Sequence, residues 1–444
     1  MDWRNRWCEF LIHDTRPFGT QAVTYTGAMQ GYPETTVVSP GVAALQRAVL
    51  WLVGFGGAFV LIEPSPYEFA ILSALIVFFS TGVKMRPLFL PLLFLLLLIN
   101  IGYTTSASDM LDQMQIANWI GTSWYLAATA VFFAMVMSED TQNRLHFLIR
   151  GWMVGAVIAS VLAIVGYFHL VPGGEEWLTL YGRAKGTFKD PNVLGAFLIL
   201  PALIALQSVL VDRAGKAMRN AAAFLIISLA VLLSFSRAAW GQLVLTCGFV
   251  VLVMFWTSRS QAQRGRIVLL TILAAAFAVL LISVLLSFDA VGGLLKERAS
   301  FDQSYDTGRF GRFGRHILGA EMALGLPFGI GPLQFTRYFP EDTHNSFLNA
   351  FMSGGWLAGI CYPALVFTTF VIGFRYLFVR VPWQRAYIAV FAAYLGALAE
   401  CFIIDTDHWR HFFLIIGALW GMFAAAQIYI YRQQAASGSV TTFT

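Results

Sequence analysis

The chain is dominated by apolar runs, each near the length of a bilayer span and separated by short polar gaps. About 20 apolar residues in a helix cross the hydrocarbon core of a membrane. Runs of this kind fall at roughly 44–62, 66–83, 87–102, 119–137, 147–168, 192–211, 220–236, 239–257, 267–287, 346–374, 386–404 and 411–431. A soluble fold of 444 residues could not hide this much Leu, Ile, Val and Phe. The chain is 58% hydrophobic and 12% charged, against roughly 25% charged in soluble domains. The expected architecture is an all-α polytopic membrane protein of about 12 transmembrane helices with one large outer loop, residues 288–343.

The basic residues set the orientation. With the N-terminus in the cytoplasm, 18 of the 29 Lys and Arg fall in inside segments, from Arg4, Arg6 and Arg16 to Arg375, Arg380, Arg385 and Arg432. The net charge of +5 then reports topology and gives no ground for nucleic-acid binding. Residues 1–43 read as a cytoplasmic tail without a cleavable signal, 44–431 as the membrane domain, and 432–444 as a cytoplasmic C-terminal tail. Cys8, Cys247, Cys361 and Cys401 have no CxxC spacing and read as packed or lipid-facing thiols.

The remaining 11 basic residues lie outside, crowded into four segments. Arg183, Lys185 and Lys189 stand within seven residues in the sequence Arg183-Ala-Lys-Gly-Thr-Phe-Lys-Asp-Pro-Asn192. Guanidinium groups bind phosphate oxygens bidentately, so this loop suits a diphosphate; the plainer reading is a positive loop contacting lipid headgroups. Arg237, in Ser234-Phe-Ser-Arg237-Ala-Ala-Trp240, stands between two apolar stretches, where it meets an anion or snorkels to the interface. Residues 309–325, with Arg309, Arg312 and Arg315, have the mixed apolar and basic pattern of a helix on the membrane surface. A turn at Pro327 and Gly329-Ile-Gly331-Pro332 follows.

His344 lies where this loop enters the next span, in Glu341-Asp-Thr-His344-Asn345. It is a candidate proton acceptor oriented or tuned by Glu341 and Asp342, or a bystander in a helix-capping cluster. Asp405-Thr-Asp407-His408 offers either a metal site or, with better support, ion pairs to the outer arginines. Ionisable groups are nearly absent from span centres, whereas a transporter usually places charge or broken helices near the midplane. A polar set at one interface suits an enzyme acting on a lipid-borne substrate.

In order and spacing, Arg183…Gly186-Thr-Phe…Pro191-Asn192, Ser234-Phe-Ser-Arg237-Ala, Gly311-Arg312…Pro327-Phe-Gly-Ile-Gly331…Phe335 and His344-Asn345…Gly354-Gly355 resemble the O-antigen ligase/polymerase superfamily of bacterial envelope glycosyltransferases. The resemblance runs from about 180 to 375. It implies a metal-independent, cofactor-free inverting transferase of the bacterial inner membrane, with its active site on the periplasmic face and both termini cytoplasmic. The donor would be a glycan on undecaprenyl diphosphate. The acceptor would be lipid A-core for a ligase, or a growing glycan for a polymerase. The family's outer-face Arg and His residues map onto Arg183, Arg237, Arg312 and His344 as catalytic residues. Lys185, Lys189, Arg309, Arg315 and Asn345 are further candidates for substrate contact. The ligase is the leading expectation. Its rivals are a polymerase with the same donor, a transporter of lipid-linked glycan, which would need no His base, and a non-catalytic scaffold.

Overall fold

A computed structural model describes residues 39–287, 293, 306 and 308–436. Each of the twelve apolar runs contains a helix. In chain order these are α1 (Pro40–Gly56), α2 (Pro66–Thr81), α3 (Leu90–Ser106), α4 (Met114–Met137), α5 (Thr141–Tyr167), α6 (Pro191–Val211), α7 (Ala214–Leu233), α8 (Arg237–Thr257) and α9 (Gln261–Leu286). After α10 (Arg312–Leu324) in the large loop come α11 (Ser346–Tyr376), α12 (Gln384–Glu400) and α13 (Arg410–Ala436). Among the described residues, nine helices are long and apolar enough to cross a membrane: α3 to α9, α11 and α13. Helices α1 and α2 are apolar but shorter, and α12 has 17 residues. The chain is therefore a predominantly helical, multi-pass membrane protein. Strand pairing among the described residues is confined to a two-stranded hairpin, β1 (Thr179–Leu180) with β2 (Arg183–Ala184).

The N-terminal tail expected over 1–43 lies outside the described residues as far as 38, as does the C-terminal tail from 437. Within the large loop, residues 288–292, 294–305 and 307 are outside them too.

Local chemistry fixes where the helices start. Pro66 and Pro191 occupy first-turn positions where no amide donor is needed. Ser65 caps α2 in a capping box with Glu68, Asp190 caps α6 through the Asn192 amide, and Ser236 caps α8 through the Ala239 amide. Asn345 caps α11 by accepting from the Phe347 and Leu348 amides.

The packing is that of a membrane bundle, in which close backbone approach replaces the hydrophobic drive available in water. Helix α1 crosses α5 so tightly that a Cβ on Gly151 would lie 1.9 Å from the Trp51 carbonyl, and one on Gly54 2.1 Å from that of Leu148. Of the nine spanning-length helices, α6 and α13 are the most enclosed, and α9 is almost wholly exposed along its apolar length.

Charge is held at the helix ends. At one end, Glu139 pairs with Arg86 (3.2 Å) and Lys84 (3.5 Å), while Asp212 pairs with Lys216 and Arg385, both at 2.9 Å. At the other end, the starts of α2, α6, α8, α11 and α13 come together with α10.

Candidate active site

A cavity of about 180 Å³ opens among these helix starts. Its walls are Arg183, Asn192, Phe235, Ser236, Arg237, Ala238, Arg312, His344, Ile403 and Ile404. Arg183 comes from β2, Arg237 from the first turn of α8, Arg312 from the first turn of α10, and His344 from the turn that enters α11. Four residues spread from position 183 to position 344 of the sequence thus face one space. The unpaired amides at the starts of α6 and α8 give their ends partial positive charge. With three guanidinium groups added, the cavity has the positive potential that attracts anions.

Each arginine is held by specific contacts. Arg183 donates from Nε to the Ser234 carbonyl (2.8 Å) and from Nη2 to Asn192 Oδ1 (2.8 Å), which ties β2 to the end of α7 and the start of α6. Arg237 reaches Asp306 Oδ2 at 2.5 Å, and Arg312 Nε lies 3.4 Å from Asp306 Oδ1. Asp306 is buried. Its carboxylate therefore lies between two of the three guanidinium groups, where an anionic substrate group would also be attracted.

His344 sits at φ 47°, in the left-handed region that non-glycine residues seldom occupy. Asp405 holds this turn in place. It accepts from Thr343 Oγ1 (2.8 Å), the His344 amide (3.0 Å) and the Asn345 amide (3.0 Å). The same carboxylate lies 3.7 Å from His344 Nδ1, too far for a hydrogen bond but close enough to stabilise the ring once it takes a proton. From the opposite side, His316 on α10 donates from Nε2 to the Thr343 carbonyl (2.9 Å), which fixes its tautomer.

Burial lowers the His344 pKa, as does the nearby Arg312 charge; Asp342 and Glu341 oppose them without prevailing. The ring is thus biased toward the neutral form a proton acceptor needs. Burial raises the pKa of the Asp405 carboxyl, as do the charges of Asp407 and Asp342, while the bonds from Thr343 and Asn345 pull it back.

The other predicted contact residues are placed elsewhere. Lys189 pairs with Glu63 (3.0 Å) and lines a different cavity. Arg309 is exposed, with its guanidinium 5.7 Å from the Phe310 ring. Arg315 is buried on the inner side of α10, donating to the Phe310 carbonyl (2.9 Å) and to Glu341 (2.6 Å). Asn345 is occupied in capping α11, and its Nδ2 donates to the Phe402 carbonyl (3.1 Å). Lys185 follows β2, with its amide bonded to the Leu178 carbonyl (2.9 Å), and is not among the residues lining the cavity.

The acidic residues of this region have specific partners. Glu341 is engaged by Arg315 and Asp342 accepts from the Thr343 amide (2.8 Å), so neither orients the His344 ring by contact, while both tune it through their charge. Asp407 accepts from Asn349 (2.9 Å) and lies 3.2 Å from His408 Nδ1, and Asp405 fastens the His344 turn. Sequence reasoning missed Asp306, His316 and this role of Asp405. Only for Asp405, in a short polar segment beside His408, was there a signal to follow.

Helix α10 bears out the amphipathic pattern of 309–325. Arg315, Gly319 and Ala323 are buried, whereas Phe313, Ile317 and Leu324 are exposed. Beyond it, the loop doubles back against α11. Gly355 takes φ 64° and ψ −160° inside α11, and a Cβ there would lie 2.2 Å from the Pro327 carbonyl. Gly329, at φ 73°, meets the same kink from the other side, where a Cβ would lie 2.6 Å from the Met352 carbonyl.

Fold and site together define a multi-pass membrane protein with an arginine-walled cavity and a histidine at its edge. Residues 222–362 match the family model described as O-Antigen ligase. This match, over about a third of the chain, supports the O-antigen ligase/polymerase superfamily. The matched segment includes Arg237, Arg312 and His344; Arg183 and the 405–411 segment lie outside it. No curated protein matches the chain.

Proposed function

We propose that the protein is an O-antigen ligase-type glycosyltransferase, moving a glycan from undecaprenyl diphosphate to a periplasmic acceptor, lipid A-core. One observation carries this reading: Arg183, Arg237, Arg312 and His344 line a single cavity. A diphosphate leaving group needs cations fixed where charge develops, and an attacking hydroxyl needs a neutral base beside it.

The chemistry follows from these groups. The acceptor hydroxyl oxygen attacks the anomeric carbon from the face opposite the diphosphate. A new glycosidic bond forms as the bond to the diphosphate oxygen breaks, inverting the anomeric centre. The hydroxyl proton passes to His344, whose imidazolium is stabilised by the Asp405 carboxylate. The bonding electron pair leaves on the diphosphate, where the guanidinium groups hold it more strongly in the transition state than in the ground state. Charge stabilisation by fixed arginines makes the proposed reaction metal-independent, so turnover should survive EDTA.

A deletion strain tests the assignment. Long glycan accumulating on the lipid carrier with bare lipid A-core supports the ligase. Core bearing at most one repeat unit, or loss of a separate exopolysaccharide with O-antigen intact, means a polymerase. In the complemented strain, His344→Ala should abolish product; failure of carrier-linked glycan to reach the outer side in that variant would mean a transporter.

A further inference from the structure

A second cavity, of about 140 Å³, lies beside the first at the starts of α2, α6 and α13. Two chain segments contribute to both. Asn192 faces the first cavity while Lys189, Asp190 and Val193 face the second; Ile403 and Ile404 face the first while His408 to His411 face the second. The second cavity plays no part in the chemistry described above.

Its lining combines two features. Trp152, Phe188, Phe197 and Trp409 supply aromatic surface. Tyr67 and His411 also line it. Tyr67 is 2% exposed and His411 7%, yet among the described residues neither Tyr67 Oη nor His411 Nε2 has a hydrogen-bond partner. Leaving a buried donor or acceptor unmade is costly, so such groups are normally satisfied by a partner, a water or a ligand. Two of them on one cavity mark it as built for something with hydroxyl groups.

Charge narrows the class. The cations on this wall are already matched by carboxylates: Lys189 meets Glu63 at 3.0 Å, and Arg410 meets Glu63 at 3.2 Å and Glu68 at 2.5 Å. Asp190 adds a further acidic residue. A phosphate would find no surplus of positive charge here, in contrast to the first cavity. Aromatic surface with a few polar groups, little net charge and space for on the order of ten water-sized groups fits one sugar ring.

We infer that this cavity is a seat for a neutral, hydroxyl-bearing sugar ring of the glycan substrates, held by Tyr67 and His411 beside the reacting centre. The inference rests on the transferase reading, and the test separates the two. A diazirine-bearing aliphatic amino acid is placed at Val193 in one full-length variant and at Ile403 in another. Each is irradiated in host cells that make the glycan. The expected result is a sugar-containing adduct at Val193, with its yield reduced about tenfold by Tyr67→Phe or His411→Phe, the loss of roughly one hydrogen bond. Tyr67→Phe should leave the melting temperature unchanged or higher, because it removes a polar atom that has no protein partner. Repeating the experiment with carrier-linked glycan synthesis blocked identifies the source: an adduct that persists carries acceptor sugar, and one that disappears carried donor sugar. A phospholipid adduct at Val193, no sugar adduct there while Ile403 captures glycan, or a yield indifferent to both substitutions overturns the inference and leaves the transferase standing. Absence of glycan at both positions overturns both.

Discussion

Arg309, Arg312 and Arg315 are three residues apart in sequence and meet three different environments. Arg309 is exposed, Arg312 lines the cavity, and Arg315 is buried against Glu341. The structure therefore predicts three separable phenotypes. Arg309→Ala should stay near wild type. Arg312→Ala should lower kcat/KM by on the order of a hundredfold, as removal of a charge-stabilising donor commonly does. Arg315→Ala should act through stability, costing about 1–2 kcal/mol in thermal or detergent unfolding, because it removes the buried guanidinium's hydrogen bonds to the Phe310 carbonyl and to half-exposed Glu341. Measuring turnover and melting temperature in parallel on the three variants checks this.

Arg183→Lys should lose at least tenfold in turnover, because an ammonium cannot span the Ser234 carbonyl and Asn192 as the guanidinium does. The pH dependence follows from His344, whose pKa is lowered from 6.5. The neutral base is complete above the lowered value, so kcat/KM should be flat near neutrality and fall only as pH drops below 6.5. Arg312→Gln removes a cation that favours the neutral ring, so the acid limb of its residual activity should move to higher pH. A wild-type limb above pH 6.5 would contradict this assignment. The sequence marked the chemistry-bearing residue types well, because outer arginines in an apolar chain are conspicuous. It left the three loop arginines unresolved, since which face of α10 turns inward depends on Glu341 and the Phe310 carbonyl, and their approach is tertiary.

At the scale of elements, the turn at 343–345 and the kink in α11 do most to place His344. Asp405 fastens the turn through two amides and a hydroxyl. Asp405→Ala should therefore reduce kcat by tenfold or more, with little change in donor KM, because the base is misplaced while the arginine cavity is kept. An unchanged kcat would remove Asp405 from the account. Gly355→Ala should fail to give a stably folded protein, since its Cβ would enter the Pro327 carbonyl. The helices themselves were legible, because hydropathy sets their length and Pro, Ser, Asp and Asn set their starts. The Gly354-Gly355 pair was readable only through family resemblance. Its physical reason, a loop doubling back into a helix kink, belongs to the packing of two segments distant in sequence. Lys189 illustrates the opposite failure. It sits six residues from Arg183, but the turn into α6 sends it to the other side, toward Glu63.

For the molecule as a whole, the decisive feature is that helix starts carrying Asn192, Ser236, Arg237 and the His344 turn converge at one end, so that dipoles and guanidinium groups act on one space. The charge pattern along the chain predicts that this end is periplasmic. Cysteine substitution at Tyr181, 87% exposed near the cavity, and at Met218, 73% exposed at the start of α7, should give labelling from opposite sides of the membrane. Labelling of both from one side would dismantle the topology. The central claim is tested most directly by reconstituting purified protein in lipid nanodiscs with undecaprenyl-diphosphate-linked glycan, lipid A-core and EDTA, and following glycan attached to lipid A-core. The account predicts transfer by the wild type and loss of at least a hundredfold in His344→Ala. Failure of the wild type to transfer glycan without a divalent metal, or near-normal transfer by His344→Ala, would contradict it.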